Sequence, residues 1–76
     1  MEEKTLEQLT DEIFKNYKPQ LVEIQNNATA VDPAVWMCQI DNGITALIYD
    51  LQEWEGYGEY EYENLYTAIN EALCRL

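Results

Sequence analysis

The chain has 76 residues, with fifteen acids against four bases, no histidine and no serine, for a net charge of −11. That length makes one small domain, residues 1–76, with a modest buried fraction, and the charge turns it away from nucleic acid and anionic membranes and toward basic surfaces. The missing residue types exclude Ser-His and Cys-His nucleophiles, histidine-metal sets and the serine that carries a phosphopantetheine arm.

The opening "MEEKTLEQL" has neither a basic segment nor the apolar run of a secretory leader, and no stretch reaches the length of a membrane span. A cytoplasmic protein is the expectation. Thr5 and Gln8 are spaced as a capping box, with Glu7 placed where a helix dipole favours negative charge. Leu6, Leu9, Ile13 and Tyr17 then recur at helical spacing, with Glu7, Gln8, Asp11, Glu12 and Lys15 outside the stripe. Pro19 biases Lys18 away from helical angles, so the first helix is expected to end near Tyr17, a kinked continuation through Leu21 and Ile24 being the other reading. "QLVEIQ" alternates Val22 and Ile24 against Leu21, Glu23 and Gln25 as a short strand does, and "NNATAVDP" reads as a polar turn.

The segment "AVWMCQIDNGITALIYDL" supports two readings. Asn42-Gly43 between apolar runs is a hairpin signature, because both central residues of a type I′ turn need positive φ. It predicts strands near 34–41 and 44–50, with Trp36 opposite Tyr49 and Cys38 opposite Leu47. Alternatively Asp32 caps a helix with Pro33 at its first position, Gly43 closes it, and Ile44, Leu47, Ile48, Leu51 and Trp54 form the face of a second helix. The last segment is simpler. Tyr62, Leu65, Tyr66, Ile69, Leu73 and Leu76 make an amphipathic stripe from about residue 61, with acids near its start and Arg75 in its last turn. The expected fold is α+β: an N-terminal helix, a two- to three-stranded antiparallel sheet with a central Asn-Gly hairpin, and a C-terminal helix, both helices on one sheet face. An all-α small bundle is the alternative.

Little chemistry of catalysis is available to such a chain. Glycines 43, 56 and 58 fit no phosphate loop, Ile40 and Cys38 stand where a calcium loop needs oxygens, and Cys38 and Cys74 are too far apart for a metal knuckle. Both cysteines are expected reduced and semi-buried. An irregular ion site among Glu53, Glu55, Glu59 and Glu61 is the remaining carboxylate chemistry. A domain this small rarely encloses a catalytic pocket, so no enzyme and no cofactor are expected.

The run "EWEGYGEYEYENLY", residues 53–66, alternates carboxylates with rings and has no base. From Glu61 it starts the last helix, where Tyr62, Leu65 and Tyr66 are expected to face inward. The part before that is either a solvated connector or a partner surface. Unbalanced acids repel one another, and a basic partner relieves the repulsion; on that reading Asp50, Glu53, Glu55, Glu59, Glu61 and Glu63 supply charge, with Trp54, Tyr57 and Tyr60 as anchors. Carboxylates spaced along a scaffold can take phosphate-binding positions, and rings can stack on arginines.

In size and charge the whole chain resembles the small acidic phage-encoded inhibitors that mimic DNA, including many anti-CRISPR proteins, though no diagnostic motif carries residues across. Glu59, Tyr60, Glu63, Asn64 and Leu65 are also similar to a segment of barstar, the acidic ribonuclease inhibitor, with Tyr62 and Tyr66 departing from its pattern. The resemblance implies an inhibitor that blocks a basic surface on a nucleic-acid-binding protein, such as a host-defence nuclease complex, without touching nucleic acid or membrane. The alternative is a structural interaction module or homodimer that buries its aromatic surface.

Overall fold

A computed structural model describes residues 4–76, which form four helices with no strand among them: α1 Leu6–Asn16, α2 Lys18–Asn27, α3 Pro33–Trp54 and α4 Tyr62–Cys74. The α+β expectation is therefore corrected to a small all-helical bundle. Residues 1–3, the start of the stretch expected to carry no secretory leader, lie outside the described residues.

The capping box forms as its spacing requires. Thr5 N–H donates to Gln8 Oε1 at 2.9 Å, and Gln8 N–H donates to Thr5 Oγ1 at 3.2 Å. Leu9 and Ile13 of α1 are buried, whereas Leu6 stays 47% exposed. The chain breaks at Tyr17, but Pro19 does not stop the helical path. It sits in the first turn of α2, where its missing N–H has no intrahelical partner to lose. "QLVEIQ" is thus helical rather than a strand, because burial follows Leu21 and Ile24 at a spacing of three while Val22 faces solvent.

The expected hairpin is replaced by one helix of 22 residues running straight through Asn42-Gly43. Asp32 Oδ1 accepts from Ala34 N–H at 2.8 Å, with Pro33 at the first helical position. Ile40, Ile44, Leu47, Ile48 and Leu51 are all buried. No strand could place Leu47 and Ile48 on one face, since neighbours in a strand point to opposite sides, whereas one helical stripe holds all of them. Gly43 neither turns the chain nor adopts positive φ. A Cβ there would stand 2.8 Å from Ile24 Cγ2 and 3.0 Å from its Cγ1, so glycine lets α2 approach α3 closely. Replacing Asp32 by alanine strips the cap and is expected to cost about 1 kcal/mol in urea unfolding.

Helix α3 ends at Trp54 with Glu55 as its C-cap, and Gly56, the glycine with positive φ (81°), then lets Tyr57 N–H reach Leu51 O at 3.0 Å. The chain then dips inward, Tyr57 and Tyr60 entering the core before α4 starts. Helix α4 buries Leu65, Ala68, Ile69 and Ala72, a stripe rotated from the expected one, and Tyr62 lies 47% exposed rather than inward. Helix α1 packs chiefly on α4, whose buried stripe carries two small side chains, Ala68 and Ala72. Helix α3 packs on α2 and α4 and makes no close contact with α1, so α1 and α3 occupy opposite sides. The result is a rod 44 by 21 by 18 Å. No helix among the described residues is long and apolar enough to cross a membrane.

Candidate functional site

The residues singled out in the sequence do not form one surface. Tyr57 and Tyr60 are buried at 6% and 9% exposure, leaving Trp54, at 76%, as the ring presented to solvent. Tyr57 meets Tyr17 edge-on at 6.2 Å between centroids and Tyr60 at 5.8 Å. Its hydroxyl donates to Glu12, which also pairs with Lys4, and Tyr17 donates to Glu55 at 3.0 Å. Burial, then the bond to Glu12, pushes the Tyr57 phenol up, so it remains a neutral donor. Lys4 first and Tyr57 second hold the Glu12 carboxyl below its ordinary value. A carboxyl with a lowered folded-state pKa stabilises the fold above its unfolded pKa and loses that contribution as pH falls through the folded value. Stability should therefore decline as pH drops below about 4.5. A Glu12→Gln variant should show a shallower decline in midpoint-against-pH curves.

Asp50, Trp54 and Glu55 gather along the seam between α2 and α3. A hollow of about 410 Å³ runs there, walled by Gln20, Glu23 and Asn27 of α2 and by Gln39, Asn42 and Asp50 of α3, over a floor of Ile24, Gly43, Ala46 and Leu47. It shares Gln20, Leu47 and Asp50 with a second hollow of about 340 Å³ that reaches Tyr17, Leu51, Trp54 and Glu55. Together they make a trough rimmed by the acids Glu23, Asp50 and Glu55, with Trp54 at one end. The sequence reading missed Gln20, Glu23, Asn27, Gln39 and Asn42. Their spacing, 20, 23 and 27 on α2 and 39 and 42, with Asp50, on α3, is a polar helical stripe that alternating strands conceal.

Glu53, Glu59 and Glu61 are exposed around the α3–α4 connector, and Glu63 lies in the first turn of α4. Glu63 borders a separate face on which Tyr62 and Tyr66 lie with ring centroids 6.2 Å apart. There Tyr66 donates to Asp41, and the Tyr62 and Thr45 hydroxyls are 3.0 Å apart. Cys38 and Cys74 are both free and exposed, not semi-buried. Among the described residues no three His, Cys, Asp or Glu side chains converge on a point that could hold a metal ion.

Charge is sorted across the rod. Lys4 pairs with Glu12, Arg75 pairs with Asp11, and Lys18 lies 5.0 Å over the Phe14 ring, so these bases gather around α1. Lys15 lies on α1 itself. From residue 19 to residue 74 there are ten acids and no base. No protein-family model, curated protein or solved structure matches the chain. The chemistry of its surface is what bears on function: a trough with an acidic rim, an exposed indole and a run of unpaired carboxylates.

Proposed function

We propose that the protein is a non-enzymatic inhibitor that occupies a basic surface of a nucleic-acid-binding protein in the cytoplasm, such as a nuclease complex of host defence, and acts as a decoy for nucleic acid. The observation that carries this reading is the unbalanced acidity of residues 19–74 on a narrow rod. A net charge of −11 over a long axis of 44 Å gives one charge per 4 Å. One strand of DNA spaces its phosphates about 3.4 Å apart along the helix axis. The charge therefore has the linear density of a single strand, about half that of a duplex. Asp50 and Glu55 in the trough, with Glu53, Glu59, Glu61 and Glu63 around its end, supply the anionic contacts, and Trp54 stacks on a guanidinium.

Such an encounter is steered by charge and weakened by salt. Immobilised protein should retain a nucleic-acid-binding partner at low salt, release it as salt rises, and release it on addition of the partner's DNA or RNA. A partner that stays bound at high salt, or that holds nucleic acid and this protein together, would overturn the reading. Changing Glu53, Glu59 and Glu61 together to lysine should abolish retention with circular dichroism unchanged, because all three side chains are exposed.

A further inference from the structure

The trough between α2 and α3 combines features that select its occupant. Its floor is apolar, with Ile24, Ala46 and Leu47, and its rim carries Glu23, Asp50 and Glu55. Neither Glu23 nor Asp50 has a basic partner among the described residues, and Tyr17 holds Glu55 through Oε1, leaving Oε2 to a ligand. A purely apolar segment laid there would strand carboxylates against it, and an anion is repelled by the rim. What fits is a side chain with an aliphatic stem for the floor and a cationic head for the rim. Axial spacing specifies more. The pairs Tyr17–Glu55, Ile24–Gly43 and Ala30–Gln39 show that α2 and α3 run antiparallel, so Glu23 stands beside the Gly43–Ala46 turn of α3. Asp50 lies roughly 6–10 Å further along the axis, and Glu55 roughly 7–8 Å beyond that, at the rise of an α-helix. Alternate side chains of an extended chain share a face at a spacing of roughly 7 Å.

We propose that the trough receives an extended segment with arginines at alternate positions, Arg-x-Arg-x-Arg, whose guanidinium groups meet Glu23, Asp50 and Glu55 in turn. That the segment belongs to a nucleic-acid-binding partner rests on the decoy reading above. Arginine is favoured over lysine because its planar head forks onto a carboxylate and stacks on an indole, and Trp54 stands 76% exposed beside Glu55. The amides serve the backbone between the arginines. Gln20, Asn27 and Asn42 each offer a donor and an acceptor to peptide groups, and Gln39, whose Oε1 accepts from Ala30 N–H at 3.0 Å, keeps its NH2 to donate.

A peptide alternating alanine with three arginines tests the assignment, read by Trp54 emission in a Trp36→Phe background where Trp54 is the single tryptophan. A saturable change in emission is expected, with the matching lysine peptide bound at least about 5-fold more weakly. Glu23→Gln with Asp50→Asn should weaken binding at least about 10-fold. Glu59→Gln with Glu61→Gln removes the same charge outside the trough and should change affinity less than about 2-fold. All four side chains are exposed, so circular dichroism should stay unchanged. No Trp54 response, a lysine peptide bound as tightly, or equal losses from the two double variants would overturn the proposal. Retention of a nucleic-acid-binding partner separates it from the decoy reading. If the peptide fails while such a partner is still retained and released by its nucleic acid, the trough assignment alone falls; if the peptide seats but no such partner is retained, the decoy reading alone falls.

Discussion

Truncating Tyr57 to alanine is expected to cost about 3–5 kcal/mol, as for other large buried aromatic side chains. A domain of 76 residues has a total stability of roughly 4–11 kcal/mol, so that one change removes a large share of it. The same truncation at Trp54, three residues earlier and 76% exposed, should stay within about 0.5 kcal/mol. The contrast arises because Gly56 turns the chain inward after α3, so Tyr57 packs on Tyr17 and Tyr60 and bonds Glu12. Urea unfolding of the two variants measures it directly. Equal effects would mean that residues 55–61 are a solvated connector after all. Tyr57→Phe, which keeps the ring and loses the bond to Glu12, should cost about 1–2 kcal/mol.

Gly43→Ala gives the second large effect, and its sign is informative. Helix propensity alone predicts a gain of about 1 kcal/mol. Against that stands a β-branched side chain with few rotamers, all of whose nearest atoms are in the way: Ile24 Cγ2, Cγ1 and Cβ would lie 2.8, 3.0 and 3.3 Å from the new methyl. Overpacking of this kind costs about 1–3 kcal/mol, so a net loss of about 1 kcal/mol or more is expected. Because a hairpin turn would also lose stability at this position, the decisive measurement is a double-mutant cycle. Ile24→Ala should cost about 2–5 kcal/mol in the wild type and distinctly less in the Gly43→Ala background, a coupling that a turn glycine would not show. Additive effects would exclude the close approach of α2 and α3.

These two positions show where the sequence could be read and where it could not. The Thr5–Gln8 box and the existence of the last helix are local features that a few neighbouring residues suffice to show, and both are present, although the buried stripe of the last helix is rotated from the one its large side chains mark. Asn42-Gly43 is ambiguous locally, because glycine serves equally a turn that needs positive φ and a helix that needs room. What resolves it is Ile24, nineteen residues away, which no local pattern displays. The face Ile44, Leu47, Ile48 and Leu51 is nevertheless legible as a helical period, though Trp54, which continues it in sequence, is exposed and the helix does not stop at Gly43, and a strand cannot reconcile adjacent Leu47 and Ile48. The buried alanines at 68 and 72 carry no signal in an apolar stripe drawn from large side chains, because their contribution is smallness at a helix contact. At the candidate site, the acids at 53, 59 and 61 are exposed as their charge suggests. The burial of Tyr57 and Tyr60 depends on one backbone angle at Gly56 and on rings from α1's end, and composition carries neither.

The position of the bases has a consequence for motion. With its four cations gathered around α1 and none on α3, the rod is an electric dipole across its short dimension as well as an anion. In the field of a basic surface it feels a torque, not only a pull, and rotates so that α1 trails. On the proposed decoy reading, that torque would reorient collisions that begin with the wrong side forward, so that the α2–α3 seam leads into contact.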